Sequence, residues 1–268
     1  MLGGVRLLKL FKTRALVLRS RPLGERDRLL SLFTWEKGKL GAVAPGARRI
    51  KSKLAAGVDY FTCASFLLHR GKSLCTVTQL EVEFAFRKIR ENIKDYTYGM
   101  YFCELVEKLV EEGEPHPAIF NLLLECWRCL DDSSADREIL ARYFELKLLS
   151  LLGYHPHFKD CLYCGDTKGP FFWSINSGGV FCERCRPREG AVFFISSGTH
   201  AMADRLLNLF PAAKILNLRA TEEQKNELQG FTRQFLLQWT GTGPFKGLSF
   251  LEKLNAQEKD KKTNNAPQ

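Results

Sequence analysis

Residues 13–44 read TRALVLRSRPLGERDRLLSLFTWEKGKLGAVA, and this stretch decides the architecture of the first third of the chain. Thr13 to Ser20 is rich in Leu and Val, Arg28 to Thr34 repeats the pattern, and Lys39 to Ala44 follows the turn-like Glu36-Lys37-Gly38. Short apolar runs separated by glycine and charged residues are strand signals. Two more such runs, Asp59 to His69 and Ser73 to Phe84, meet at Arg70-Gly71-Lys72. Five short strands within about 85 residues predict a small barrel. A five-stranded barrel with basic loops is the OB type of solution to holding single-stranded nucleic acid. Phe33, Trp35, Tyr60 and Phe61 are candidates for stacking on bases, although most aromatics of a small barrel fill its core.

The charge points the same way. Residues 1–85 carry 16 Lys/Arg against 6 Asp/Glu, whereas residues 86–268 carry 24 against 24, so the whole net charge of +10 belongs to the first third. Within it, Gly46-Ala47-Arg48-Arg49-Ile50-Lys51-Ser52-Lys53 places four cations in six positions. A charge run is often no more than a solvated loop, but confinement to one domain favours a surface that meets a polyanion.

From residue 86 the apolar period becomes helical. Tyr98, Tyr101/Phe102, Leu105 and Leu109 form one stripe; Ile119/Phe120, Leu123, Cys126/Trp127 and Leu130 a second; Leu140, Phe144, Leu148 and Leu151/Leu152 a third. A later helix opens at Thr221 with Gln224 in capping-box spacing and carries Leu228, Phe231, Phe235 and Trp239 on one face. Residues 255–268 are polar and predict a disordered tail.

Nine cysteines include three CxxC pairs. Cys161/Cys164 and Cys182/Cys185 are separated by 17 residues, the spacing of a four-cysteine zinc site, with Gly165 permitting a knuckle turn and a hairpin predicted through Ser177-Gly178-Gly179. Four thiolates close the coordination sphere, so one Zn2+ per chain held here would be structural. A redox pair would begin a helix after a strand, which neither pair does. Cys126 and Cys129 share one face of a predicted helix and read as buried small hydrophobes, and His155 and His157 as loop residues.

No Walker loop, dinucleotide fingerprint or nucleophile elbow occurs, and the six acids of the basic third show no metal-ligand spacing, so a binding protein is expected and not an enzyme. No stretch approaches about 18 consecutive apolar residues, and Arg6 and Lys9 interrupt the opening segment, which predicts a cytoplasmic protein without a membrane span.

Thr13 to Glu25, Leu29 to Lys39 with Leu32-Phe33-Thr34, and Val43-Ala44-Pro45-Gly46-Ala47-Arg48-Arg49 resemble the bacterial RecO family of recombination mediators. So do Arg142-Tyr143-Phe144-Glu145-Leu146 and Leu152-Gly153-Tyr154, with the cysteine cluster following. The resemblance spans nearly the whole chain in order. Two departures are a longer opening, Met1 to Phe11, and Lys246-Gly247-Leu248 where the family tends to have Lys-Ser-Arg.

The resemblance implies an α+β protein. An N-terminal OB-fold barrel (1–85) would be followed by a helical domain in two parts (86–160 and 190–254) with a four-cysteine zinc-binding insertion (161–189). It also implies a nucleoid-associated, nonenzymatic mediator that binds single-stranded DNA and anneals complementary strands. With RecR, such a protein would load RecA onto DNA coated by the single-stranded DNA-binding protein SSB. Arg14, Arg19, Arg21, Lys39, Arg48, Arg49, Lys51 and Lys53 are the expected phosphate-facing residues, and Arg142 the expected contact for the carboxylate of the SSB C-terminal tail. Two other classes fit the same residues: an RNA-binding protein using the same barrel, and a zinc-stabilised interaction scaffold.

Overall fold

The computed structural model describes residues 10–132, 135–241, 243 and 245–251. The predicted tail and the first nine residues of the opening segment lie outside that range. Two compact units emerge, one comprising residues up to Glu91 together with Cys103–Leu124, the other Asn92–Phe102 together with Glu125 onward.

In the first unit β1 (Leu10–Leu23), β2 (Asp27–Thr34), β3 (Gly38–Ala44), β4 (Thr62–His69) and β5 (Cys75–Ala85) close into a barrel in the order β1-β2-β3-β5-β4. Every pairing is antiparallel except β3 with β5, which run parallel through Ala42↔Cys75 and Val43↔Thr76. Alternation puts Ala15, Val17, Leu30, Leu32, Ala42, Ala44, Phe66 and Leu68 inside, as the two-residue period of a strand requires.

The outer side of β1 and β2 explains why Ala15-Leu16-Val17-Leu18 does not alternate. Leu16 and Phe33 point away from the lumen yet are fully buried. Phe120 covers Phe33 at 5.9 Å and meets Trp35 edge-on at 5.3 Å. Gly38 seats the chain that precedes Phe120: its φ is +63°, and a Cβ there would stand 2.2 Å from the Glu114 carbonyl oxygen. Gly38→Ala should therefore cost at least about 2 kcal/mol, since left-handed backbone alone costs an L-residue about 1–2. An unchanged urea midpoint would refute this packing.

Helices follow: α1 (Lys88–Glu91), α2 (Ile93–Leu109), α3 (Pro117–Asp131), α4 (Arg137–Leu151), α5 (Ser197–Asn208) and α6 (Glu222–Thr240). Asp136 caps α4 through the amides of Glu138 and Ile139, and Thr221 with Gln224 forms a complete capping box on α6. Lys225 on α6 reaches Asp136 at 2.7 Å and Glu222 at 3.0 Å, joining the starts of α4 and α6. Within the second unit Phe102 stacks on Phe144 at 4.4 Å. A three-stranded sheet, β6 (Phe171–Ser174), β7 (Gly179–Cys182) and β8 (Val192–Ile195), is ordered β7-β6-β8. Its third strand, beyond residue 189, pairs with β6. No helix among the described residues is long and apolar enough to cross a membrane.

Candidate nucleic-acid interface and cysteine cluster

The basic run lies in the β3–β4 connection, residues 45–61, which is built almost wholly of turns. Hydrogen bonds tie it to the β1–β2 turn: the Gly46 amide donates to Asp27 Oδ1 (2.7 Å), the Arg48 amide to the Arg26 carbonyl (2.9 Å), and the Arg48 guanidinium to the Gly24 carbonyl (2.6 Å). Gly46, at φ +64°, turns the chain into this geometry. The anchoring leaves Arg48, Arg49, Lys51 and Lys53 exposed, and places the exposed Arg26 beside them. Among the described residues none of these five cations pairs with a carboxylate, whereas Arg28 and Arg90 both lean on Asp59 (3.7 and 3.1 Å). Ile50 between them is fully exposed.

Arg19 and Arg21 are exposed on β1, beside Ser31 and Leu29 of β2. The remaining expected contacts differ. Arg14 is half-buried, held by Glu83 at 2.7 Å and lying over the Phe120 ring. Lys39 is only 7% exposed; its ammonium donates to the Glu107 carbonyl while its own carbonyl accepts from the Gly113 amide. Burial lowers its pKa. Lys39 thus fastens residues 107–113 to the barrel and does not face phosphate.

Phe33 and Phe61 are fully buried and unavailable to bases. Trp35 and Tyr60 are half-buried, with Trp35 engaged by Phe120. Arg26 carries no signal in the sequence because it stands alone between acids in Glu25-Arg26-Asp27; only the fold brings it to the basic loop.

In the second unit the four cysteines converge: the sulfurs of Cys161, Cys164, Cys182 and Cys185 all lie within 4.8 Å of one another. Tetrahedral thiolates about 2.3 Å from a common ion would be spaced about 3.8 Å apart, and Cys164 and Cys182 already stand at 3.7 Å. Both knuckles are tight turns, with the Gly165 amide on the Cys161 carbonyl (2.9 Å) and the Cys185 amide on the Cys182 carbonyl (3.1 Å). Burial pushes the Cys161 thiol up, but the amides of Cys182, Cys164 and Tyr163 outweigh it and bring the pKa to about 6. Burial and its sulfur neighbours raise Cys185 to about 12. One cation shared by the four sulfurs would favour the thiolate form of each. The cluster can therefore hold a metal ion.

Beneath it, Trp173 of β6 stacks on Phe158 (4.7 Å) and meets Phe235 of α6 edge-on (5.3 Å). His157 pairs with Asp160 at 2.9 Å and takes no part in the cluster. Cys126 and Cys129 are buried, and burial raises both thiols, Cys129 to about 11.

Arg142 is 6% exposed, at a small cavity of about 20 Å³ shared with Tyr98, Glu138, Lys225 and Gln229. Its guanidinium donates to Glu145 Oε1 at 2.6 Å, an oxygen that also accepts from Tyr101 at 2.7 Å. The expected carboxylate contact is thus a buried arginine whose charge Glu145 already meets.

Two family models cover the chain, "Recombination protein O N terminal" over residues 8–86 and "Recombination protein O C terminal" over residues 90–249. The DNA repair protein RecO of Pelotomaculum thermopropionicum is 40% identical over 230 residues, spanning 85% of this chain and 89% of that protein. That of Alkaliphilus metalliredigens is 35% identical over 246 residues, 91% of this chain and 100% of the relative, and that of Bacillus velezensis 30% over 249 residues, 93% and 96%. With both family models matched in order on a closed barrel and a helical unit bearing four convergent cysteines, the chain belongs to the RecO family of DNA repair proteins.

Proposed function

We propose that this chain is a nonenzymatic recombination mediator that binds single-stranded DNA through the β3–β4 loop, anneals complementary strands, and with RecR loads RecA onto SSB-coated DNA. The observation that carries the reading is the pinned loop presenting Arg26, Arg48, Arg49, Lys51 and Lys53 without carboxylate partners among the described residues. Annealing is opposed by repulsion between two polyanions, and cations held in place neutralise phosphate and release counterions. No bond to the nucleic acid needs to form or break. Arg48 and Arg49 suit the role best, since guanidinium grips phosphate with paired donors and stacks on bases. Arg19 and Arg21 extend the surface along β1.

The metal we assign to Cys161, Cys164, Cys182 and Cys185 is zinc. Four thiolates in tetrahedral spacing suit it, and with no coordination position open its contribution is folding energy. The helical unit is the proposed surface for the SSB tail. A carboxylate arriving at Arg142 would have to displace Glu145.

Replacing Arg48, Arg49, Lys51 and Lys53 together by Ala should weaken single-strand binding and flatten the slope of log affinity against log salt by about 3, at about 0.7 for each phosphate no longer neutralised. An unchanged slope would remove the loop from the interface. The reading as a whole is tested by annealing SSB-coated complementary strands with and without the protein. Acceleration that disappears when SSB lacks its acidic tail supports it; no acceleration on coated or naked strands overturns it.

A further inference from the structure

The small sheet of the second unit has two unlike faces. Phe171 and Trp173 of β6 point inward and are buried. The opposite face, where a sheet exposed to water is ordinarily polar, carries phenylalanines. In register, Phe172 lies directly beside Phe181 of β7 on one side and Phe194 of β8 on the other, and directly opposed residues share a face. The three rings therefore cross the sheet as one row. Phe194 is 61% exposed, and it meets Phe172 at 5.8 Å with the rings inclined by 69°.

Over this row runs the second cysteine knuckle, Cys182-Glu183-Arg184-Cys185-Arg186-Pro187-Arg188. All three of its arginines are exposed. Arg186 sits 4.7 Å above the Phe172 ring, and Arg184, Arg186 and Arg188 line, with Phe172 and Phe194, an open groove of about 550 Å³. The acids nearby are Glu183, which lines the same groove, Asp166, 3.7 Å from Arg184, and the exposed Glu189 that follows Arg188.

We propose that this aromatic row and its arginine rim form a second binding site for single-stranded nucleic acid, separate from the barrel loop. The charge is complementary to phosphate, and exposed rings accept bases of any sequence at about 1–3 kcal/mol per stacked base. The groove is open and not a closed pocket, which suits a strand laid across it better than the buried side chain of a peptide terminus. Annealing gives such a site its use: two strands must be held by one protein, and a second surface supplies the second grip. The site stands on its own residues and does not depend on the barrel loop binding DNA.

The test uses the full chain and a labelled oligothymidylate. Arg184, Arg186 and Arg188 changed together to Gln should flatten the salt slope by about 2, from three phosphates at about 0.7 each, and Phe194→Ser should weaken binding about fivefold or more. All four positions are exposed, so circular dichroism and bound metal should not change. In a chain whose barrel-loop cations are already Ala, residual binding should persist and vanish with the arginine triple change, and iodouracil-substituted oligonucleotide should cross-link to Phe172, Phe181 or Phe194. Unchanged affinity and slope in both variants, with cross-links confined to the barrel, would overturn the site. So would unchanged DNA binding with loss of affinity for an acidic, phenylalanine-ended peptide, which would assign the face to a protein ligand.

Discussion

Changing Arg142 to alanine is expected to lower the unfolding free energy by about 3–5 kcal/mol, the cost of leaving a buried charge without its partner. Arg142 and Glu145 are one turn apart on α4, joined at 2.6 Å, with side-chain exposures of 7% and 2%. Without the guanidinium, Glu145 keeps, among the described residues, the Tyr101 hydroxyl. Yet the pair is itself imperfect, since Arg142 Nε and Glu145 Oε2 are buried without hydrogen-bond partners among the described residues. Removing both charges should therefore be far cheaper than removing one. Arg142→Leu with Glu145→Gln keeps an acceptor for Tyr101 and should recover more than half of the loss. Urea midpoints of the wild type, Arg142→Leu, Glu145→Gln and the double variant, with unchanged m-values, measure the coupling. A single-variant loss below about 1 kcal/mol would mean that the pair is solvated. The cycle also decides how a partner-binding defect at Arg142 is read: if the double variant regains stability but not affinity for the SSB tail, the arginine contacts the tail directly.

The second large effect is expected from the cysteine cluster. Cys161→Ser, or chelation of the wild-type protein, should take the metal content from one ion per chain to none and release the segment from His157 to Ile195. Structural zinc contributes about 10–16 kcal/mol of apparent binding energy in isolated fingers. Here that is an upper bound, because Trp173 remains packed against Phe158 and Phe235. Amide exchange at Phe171–Cys182 should rise by orders of magnitude while exchange in β1–β5 stays as it was. Protein purified without chelator that contains no metal, and whose exchange in this segment does not respond to chelation, would refute the assignment.

The barrel is legible in the chain because each strand carries its own two-residue period and its own turn residues. Thr221, Gln224 and the CxxC spacing are equally local signals: the capping box forms and the four sulfurs converge. What local pattern does not show is which side of an element is covered. Phe33 and Lys39 look like surface residues of a basic barrel until Phe120 and Glu107 close over them. Arg142 sits at a position matched by family resemblance, but only tertiary packing puts Glu145 and Tyr101 on it. Strand β8 escapes a reading by period because Val192-Phe193-Phe194-Ile195 lacks alternation, and α5 because Ser196 caps a helix with few buried residues. In the same way, Phe172, Phe181 and Phe194 are scattered along the sequence and become a row only through the register of three strands.

The hydrogen bonds that pin the basic loop separate two properties on which selection acts. Its shape depends chiefly on the amides of Gly46 and Arg48, the carbonyls of Gly24 and Arg26, and two side chains, the Asp27 carboxylate and the Arg48 guanidinium. Its charge depends on the outward ends of Arg49, Lys51 and Lys53, which hold nothing in place. Shape and charge are therefore heritable almost independently. Descendants can gain, lose or shuffle cations to suit the salt of their surroundings without disturbing the backbone that displays them. Asp27 and Gly46 are the positions where drift should be least tolerated, although neither carries the charge proposed to meet DNA.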